Sequence, residues 1–532
     1  MADLNKNIDL LDLPSEKFSF ANENKILHDK ELVTKPISYF RDAWNRFKKN
    51  KGSIVATFVI AIIVLYAIIV PFISQYSISY EDPYFTATKP KIQLFEKLGW
   101  EFMDGCADAK GQNVETFLKY YSMGVETGHN AVKNQEFKKV KVQTPDLKIR
   151  DGYDFRLDYY HKNGVIFKTV SLNEYIDIQQ YQDLKNVQII YPITDPNLRP
   201  QNSSDKVDGN FWYKTIRSNS ARPETSKTYA DVTYDSNGVP QFENIYVPYS
   251  GTDNYTSTMR LEGDQKLYDY CLKKQGNTLE IRINYYEYYK YYHSYVLKDG
   301  ITEPSFIFGT TSGGEDIFTC LAAGARFSFL FAIAVAAVNL IVGAIYGAIE
   351  GYYGGKTDLI MERISDILSA VPSMIVISLL KYHLPKNIGP AVILFVAFFA
   401  TGWIGMASRT RMQFYRFKNQ EYVLAARTLG ASDKRIMFKH IFPNALGTLI
   451  TGCVLIIPGM IFSETSLNYL GIIHLESSVG ALLAEGKGAI QNGDAHIVLF
   501  PALFISLLML SFNLFGNGLR DAFNPSLRGS ED

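Results

Sequence analysis

The chain has 532 residues with 54 basic and 54 acidic side chains, and 47% of it is hydrophobic. Balanced charge excludes a polycation that holds nucleic acid by its global field, or a protein held on an anionic surface that way. Four scattered cysteines exclude a cysteine-rich metal cluster and a dense disulfide framework. The average conceals two materials: residues 54–73 and most of 327–516 are apolar, whereas 76–306 is polar and rich in Tyr.

The first fifty residues carry no apolar run, so a cleaved secretory signal is not expected there. Ile54–Ile73 is uncharged and long enough to cross a hydrocarbon core of about 30 Å. Arg41, Arg46, Lys48, Lys49 and Lys51 precede it, which predicts a cytoplasmic segment over 1–52 and a first span over 53–75.

Residues 76–306 hold no span and are long enough for a core of their own. Stretches such as Lys139–Val142, Tyr153–Tyr159 and Val187–Tyr191 read as strands, with turn signals at Asp151-Gly152 and Asn163-Gly164. Arg156–Val170 reads as a hairpin about Asn163-Gly164. The expectation is a mixed α/β or β-rich extracytoplasmic domain in which Cys106 and Cys271 are candidates for a disulfide. The run Tyr285–Tyr295 reads as packed rings with wet hydroxyls rather than as an aromatic binding platform.

Further spans are predicted over 327–349, 359–380, 391–407, 445–462 and 497–515. Six spans place both termini inside, with a cytoplasmic tail over 519–532. Arg409, Arg411, Arg416, Lys418, Arg427, Lys434, Arg435 and Lys439 then share that side. Within the spans, Glu464 is the carboxylate to consider for a pathway or gate, its other reading being a helix-end group at the interface. Asn339 and Asn513 are considered with it, and read more simply as hydrogen-bonding groups between helices.

The polar loop 419–444 separates two of these spans. Asn419 is placed to cap a helix with Glu421 in its first turn, and Val423, Ala426 and Leu429 fall near one face. Gly430 is placed to end that helix in the left-handed conformation, and Ser432 to cap a second helix carrying Ile436, Met437 and His440, which Pro443 should stop. Two helices this short need something to pack on. No nucleophile or acid–base set accompanies Glu421 or His440, so neither reads as catalytic.

The identity and spacing of Ala425, Ala426, Gly430, Ile436, His440, Pro443 and Asn444 resemble the coupling loop of ABC-importer permeases. Four other stretches resemble the C-type permease of the oligopeptide/dipeptide/nickel importer family. They are Phe40-Arg41-Asp42-Ala43-Trp44; Gly351-Tyr352-Tyr353-Gly354-Gly355 with Asp358, Arg363, Asp366 and Pro372; Ser463–Leu467 with Gly480–Gly486; and Phe512–Gly516 with Gly518–Asp521 and Asn524-Pro525. The resemblance covers 36–76 and about 304–528.

It implies an α-helical polytopic membrane protein, a six-span type I permease core over 307–518, in a bacterial plasma membrane. A second, B-type permease, two ATPase subunits and an extracytoplasmic substrate-binding lipoprotein are the implied partners, besides membrane lipid. Glu421, Ala425, Ala426, Arg427, Leu429, Gly430, Ile436, His440 and Pro443 would then meet an ATPase. No G-x-x-x-x-G-K-[ST] loop is present, so the chain is expected to be no enzyme. ATP and magnesium would belong to the partners, with no cofactor or metal on this chain and no nucleic acid.

Peptide is the implied substrate. Nickel or another small solute is the alternative within the family, and a membrane-anchored surface receptor the alternative outside it. A proton- or ion-coupled carrier would be expected to show more buried titratable groups. Three departures stand out: Leu424 replaces a family Glu, Thr311 and Glu315 replace the usual Asp and Arg before the second span, and the family has only a short loop where this chain has 76–306.

Overall fold

The computed structural model describes residues 39–143, 148–191, 231–243, 255–262, 265–273, 278–384 and 387–523. The beginning of the predicted N-terminal segment and the end of the tail lie outside them. Helix α1 (Tyr39–Lys49) is amphipathic and buries Ala43 and Phe47 against Ala522 near the chain's other end. Helix α2 (Lys51–Ile73) begins where Asn50 accepts a hydrogen bond from the Ser53 N–H at 3.2 Å, and it is the first span.

Among the described residues, the insert between the first two spans is built from two larger, unequal sheets and a two-stranded ribbon. After α3 (Gln93–Lys97), strand β1 (Cys106–Asn113), helix α4 (Val114–Thr127), β2 (Val132–Gln143) and β3 (Ile149–Asp158) form an antiparallel sheet in the order β1-β3-β2. Helix α4 covers it, burying Phe117, Tyr121 and Met123 against Tyr153 and Phe155. Strand β4 (Val165–Ser171), helix α5 (Leu172–Lys185) and β5 (Ile190–Tyr191) open the second unit, and β6 (Asp231–Tyr234) and β7 (Pro240–Glu243) pair with each other. Strands β8 (Tyr255–Glu262), β9 (Gln265–Lys273) and β10 (Thr278–Asn284) complete a sheet in the order β4-β10-β9-β8, with β5 also on β10. Helix α6 (Tyr285–Tyr291) follows and widens into a π-helical segment, Tyr292–Leu297.

A mixed α/β insert was expected, but its details differ. Residues 156–170 do not form a hairpin: β3 pairs with β1 and β2, and β4 pairs with β10. The Asn163-Gly164 turn is held by other parts of the chain, since the Asn163 amide donates to the Tyr84 carbonyl at 2.7 Å and the Gly164 carbonyl accepts from the Tyr285 N–H at 3.0 Å. Asp151-Gly152 lies within β3 and is no turn. Cys106 is a free thiol, and since it stands on β1 while Cys271 stands on β9 of the other sheet, the expected disulfide does not form. Tyr285, Tyr286, Tyr288, Tyr289 and Tyr291 are buried in the larger core, as the packing reading expected, but the hydroxyls are not left to water. Tyr285 donates to Asp82 at 2.6 Å, Tyr288 to Glu174 at 2.7 Å and Tyr289 to the Tyr76 hydroxyl at 3.3 Å, and the Tyr291 hydroxyl is itself buried. The two units are joined by a fully buried ion pair, Arg282 on β10 with Glu126 on α4.

Five further spans complete a helical polytopic membrane protein. Helix α7 (Ile317–Tyr353) is 37 residues long, roughly 55 Å at 1.5 Å per residue, and is followed by α8 (Gly355–Ser369) and α9 (Ser373–His383). The α8–α9 pair is bent by 71° around Pro372, which disfavours helix in the residue before it, so the predicted third span is a broken one. Next come α10 (Pro390–Gly402), α11 (Ile404–Phe417), α12 (Glu421–Thr428), α13 (Asp433–Arg435), α14 (Phe442–Tyr469), α15 (Val479–Ala489) and α16 (His496–Phe523). Gly343, Gly347 and Gly351 let α7 lie directly on α11, since a Cβ at any of them would come within 2.8 Å of α11 atoms.

The insert is seated on the bundle by residues 82–91. The Ala87 N–H donates to the Thr311 carbonyl and the Thr310 N–H to the Thr88 carbonyl, at 2.9 and 3.0 Å. Lys89 donates to Asp494, before α16, at 2.7 Å. Gly314 has φ of +89°, and a Cβ there would lie 1.9 Å from the Asp82 carbonyl oxygen, so this joint requires glycine. Thr311, the departure from the family pattern, is buried and its hydroxyl accepts from the Gly313 and Glu315 N–H groups at 3.2 Å.

Candidate coupling site and transmembrane pathway

The loop 419–444 folds as an elbow whose inner side is packed and whose tip is bare. Val423, Ile436 and Ile441 are fully buried with Met437 against Ala348 and Tyr352 of α7 and Phe414 of α11. The Tyr352 hydroxyl donates to Asp433 at 2.6 Å, and the Arg427 guanidinium stands 5.8 Å over the Tyr352 ring. Leu429, by contrast, is 88% exposed, with Leu424, Tyr422 and Phe438 also open to the outside.

Helix α12 ends in a Schellman motif: the Gly430 N–H donates to the Arg427 carbonyl and the Ala431 N–H to the Ala426 carbonyl, both at 3.0 Å. Gly430 has the expected left-handed φ, +80°. Three details differ from expectation. Gln420, not Asn419, is the N-cap, and it makes no side-chain capping bond. Leu429 has left the Val423–Ala426 face because it is the C-cap, where the chain turns away. Ser432 stands at the second N-cap without a side-chain bond.

Pro443 does not stop the second helix. A π-helical segment, Ile436–Ile441, leads directly into α14, and its wider turn carries the helix through Pro443. The whole stretch Asp433–Tyr469 thereby joins elbow and membrane span as one helix. His440 lies half-buried in the π-helical segment, and its carbonyl accepts from the Asn444 amide at 2.9 Å. Glu421, Ala425 and Arg427 are exposed, and Ala426 is buried.

Above the elbow, Arg411 is a hub that residue spacing did not reveal. It makes paired bonds to Asp358 at 2.6 and 2.9 Å and to Glu362 at 2.8 and 3.1 Å, and buried Glu350 lies 3.6 Å away. Tyr415 adds a bond to Asp358 at 2.6 Å. Such fork-to-fork pairing fixes orientation as well as charge, so α7, α8 and α11 are tied at one point. The signal in the sequence was an arginine on one apolar segment and carboxylates on its neighbours.

The three polar residues singled out within the spans are not brought together. Glu464 is fully buried in α14 and accepts from the Ser328 hydroxyl of α7 at 2.8 Å; its Oε1 has no partner among the described residues. Asn339 is fully buried eleven residues further along α7, about 16 Å away along the axis. Its amide faces Gly402, where a Cβ would lie 2.3 Å from the amide nitrogen. Asn513 is exposed on α16. Glu464 is thus a contact between helices rather than a group wet at the interface.

Two family models match this chain. Residues 340–529 match the binding-protein-dependent transport system inner membrane component, and residues 38–90 match the N-terminal transmembrane domain of oligopeptide transport permease C. Over 223 residues, 42% of this chain and 72% of the relative, it is 45% identical to the oligopeptide transport system permease protein OppC of Bacillus subtilis. It is 40% identical to the dipeptide transport system permease protein DppC of the same organism, over 42% of this chain and 69% of that one. It is 38% identical to OppC of Escherichia coli, over 42% and 74%. Residues 91–339, which hold most of the insert, fall outside both family models. With the bundle, the broken span and the elbow in place, the chain belongs to the binding-protein-dependent ABC-importer permeases, in the C-type branch of the oligopeptide and dipeptide systems.

Proposed function

We propose that this chain forms half of the translocation pathway of an ATP-driven peptide importer. The other half is a B-type permease, and two ATPase subunits meet the elbow. The observation that carries this reading is the division of the elbow into a packed inner side and a bare tip, Leu429, beside Gly430. An exposed leucine held on a rigid turn suits a groove in a soluble partner. The positive charge of 409–439 supports a cytoplasmic side for that tip and both termini, and with it an outside position for the insert. Closure of the ATPases on ATP pushes the elbow, and the bundle alternates between its two openings. Peptide is preferred as the cargo because the similar chains are oligopeptide and dipeptide permeases.

The test is affinity purification from native membranes in mild detergent, with and without Gly430→Asp. A Cβ built at Gly430 meets no atom of the described residues within 4 Å, but the φ of +80° strains any side chain there. Gly430→Ala, which carries the same strain without the charge, is the control, and a loss in Gly430→Asp beyond that of Gly430→Ala reports on a partner's face. Recovery of a second permease and ATPases with the parent chain, weakened in the variant, supports the reading. Equal recovery from both overturns the elbow assignment, and recovery of the chain alone from both moves weight to a surface receptor.

The insert, seated at the outer end of the bundle, is assigned to docking the substrate-binding lipoprotein or to forming an antechamber over the pore. Unchanged binding-protein-dependent uptake after a deletion that preserves membrane insertion would remove that role.

A further inference from the structure

A cleft of about 790 Å³ lies at the base of the insert, between the segment that follows α2, helix α5 and the tyrosine-rich α6. Four carboxylates line it, those of Glu81, Asp82, Glu174 and Asp177, against a single lysine, Lys168. Their partners set two of the four apart. Asp82 is saturated, accepting from the Tyr84 and Phe85 N–H groups at 2.8 and 2.9 Å and from the Tyr285 and Tyr80 hydroxyls at 2.6 and 3.2 Å. Glu174 accepts from the Tyr288 hydroxyl at 2.7 Å. Glu81 and Asp177 have no hydrogen-bond or ion-pair partner among the described residues, and Lys168 sits over the Tyr288 ring at 4.9 Å without pairing to a carboxylate.

A second observation points to a ligand. Tyr291 lines the same cleft and is fully buried, yet its hydroxyl has no partner among the described residues, and Asp177 and Glu174 are the charges that act on it. An unsatisfied buried hydroxyl beside carboxylates leaves room for a donor from outside the chain. Aromatic faces next to carboxylates suit an organic ammonium, through cation–π attraction and charge-assisted hydrogen bonds. The negative character continues inward. A smaller cavity of about 350 Å³ that shares Ser79 is lined by Glu315 and Glu476. Burial first, then the charges of Glu485 and Glu81, push the Glu315 carboxyl up.

We propose that this acidic, tyrosine-walled cleft binds the positively charged end of a peptide, its α-ammonium or a basic side chain, before the peptide enters the bundle. The proposal rests on the peptide reading and adds to it a preference for cationic cargo located in the insert rather than in the membrane core. Glu81 and Asp177 supply the charge, Tyr291 an acceptor oxygen, and Lys168 opposes entry.

The test uses the full chain in nanodiscs, with tri-lysine as the cationic probe and N-acetyl-tri-alanine as the probe without an ammonium. At low ionic strength tri-lysine is expected to bind at least tenfold more tightly, with the advantage fading as salt screens it. Glu81→Gln combined with Asp177→Asn is expected to remove that advantage and leave N-acetyl-tri-alanine unchanged. Lys168→Ala, which leaves the carboxylates in place, is expected to tighten tri-lysine binding severalfold. Equal binding of the two probes, or tri-lysine binding indifferent to both variants, overturns the cleft. Uptake of tri-alanine by the assembled transporter reads the peptide assignment separately. Peptide uptake with charge-indifferent binding overturns the cleft alone, whereas charge-selective binding with no peptide uptake overturns the peptide reading and upholds cation recognition.

Discussion

The Tyr352 hydroxyl, one residue from the end of α7, donates to Asp433, the first residue of α13, at 2.6 Å. This is a direct bond between the second span and the elbow that leads into the fifth. Because the acceptor is ionised, it is stronger than a neutral pair. Tyr352→Phe keeps the ring under Arg427 and removes only the hydroxyl. Losing about 1.5 kcal/mol should let the elbow slip against α7. We expect substrate-stimulated ATP hydrolysis by the assembled transporter to fall several-fold while the amount of assembled complex stays near normal. Stimulation equal to the parent would show that the bond does not transmit force.

Leu429 and Val423 stand six residues apart on the elbow with opposite environments, one 88% exposed and the other fully buried. Leu429→Asp should therefore change the chain's own stability by less than about 0.5 kcal/mol, yet abolish recovery of ATPase subunits. Val423→Asp buries an unpaired charge and should lower the yield of folded chain outright. Thermal unfolding in detergent, read beside co-purification, separates the two. ATPase recovery unaffected by Leu429→Asp would move the docking surface away from the tip.

The joint between insert and bundle offers a contrast between neighbouring glycines. Gly314→Ala drives a Cβ to 1.9 Å from the Asp82 carbonyl on a backbone of positive φ, while Gly313→Ala brings its Cβ no nearer than 3.6 Å to any atom, the Thr311 hydroxyl. The first should cost about 3 kcal/mol or more, the second under about 1. Limited proteolysis of the insert in the intact chain should show a protected parent and Gly313→Ala, and a cleaved Gly314→Ala. Equal protection of all three would show that the joint tolerates rearrangement.

Acid should loosen the insert through His161. Burial first, then the charges of His129 and Lys91, lowers its pKa from 6.5 to about 3, so the fold holds it neutral. The stability this confers is complete above pH 6.5 and is lost as pH falls from there toward 3. Asp158 acts oppositely: burial raises it to about 6, so its share of stability rises as pH falls through 6 toward 3.8. The His161 loss begins first and spans the wider range. His161→Phe should shrink the drop in unfolding temperature between pH 7.5 and 5, measured by intrinsic fluorescence. An unchanged drop would assign the acid sensitivity elsewhere.

Features fixed by the backbone requirements of single residues were readable from the sequence alone. Gly430 ends its helix where only glycine is comfortable, and the uncharged run 54–73 forms a span because nothing else suits it. Features set by distant partners were not. Asn163-Gly164 is a strong hairpin signal, yet β4 finds β10 more than a hundred residues away, and the turn serves that pairing instead. Pro443 carries a helix-breaking signal that a π-helical segment cancels locally. Arg411 was visible as positive charge on the inner side, but its role depends on α7 and α8 bringing Glu350, Asp358 and Glu362 to it. The elbow's anchor residues, Tyr352 and Asp433, were likewise hidden because their partnership spans 81 positions.

Helix α7 carries no proline and runs unbroken from the seat of the insert at Ile317 to the elbow's anchor at Tyr352. Its two ends therefore belong to one connecting rod, stiffened along the half nearer the elbow by glycine-mediated contact with α11. On the proposed reading, a stroke delivered at the elbow end would reach the insert end in the same step, with no relay in which to lose it. Slack, where the machine needs it, must reside in the joints at either end. The substitutions that uncouple outer events from inner ones should therefore gather around Gly314 and Asp433, and the middle of the rod should be forgiving of changes on its lipid-facing side.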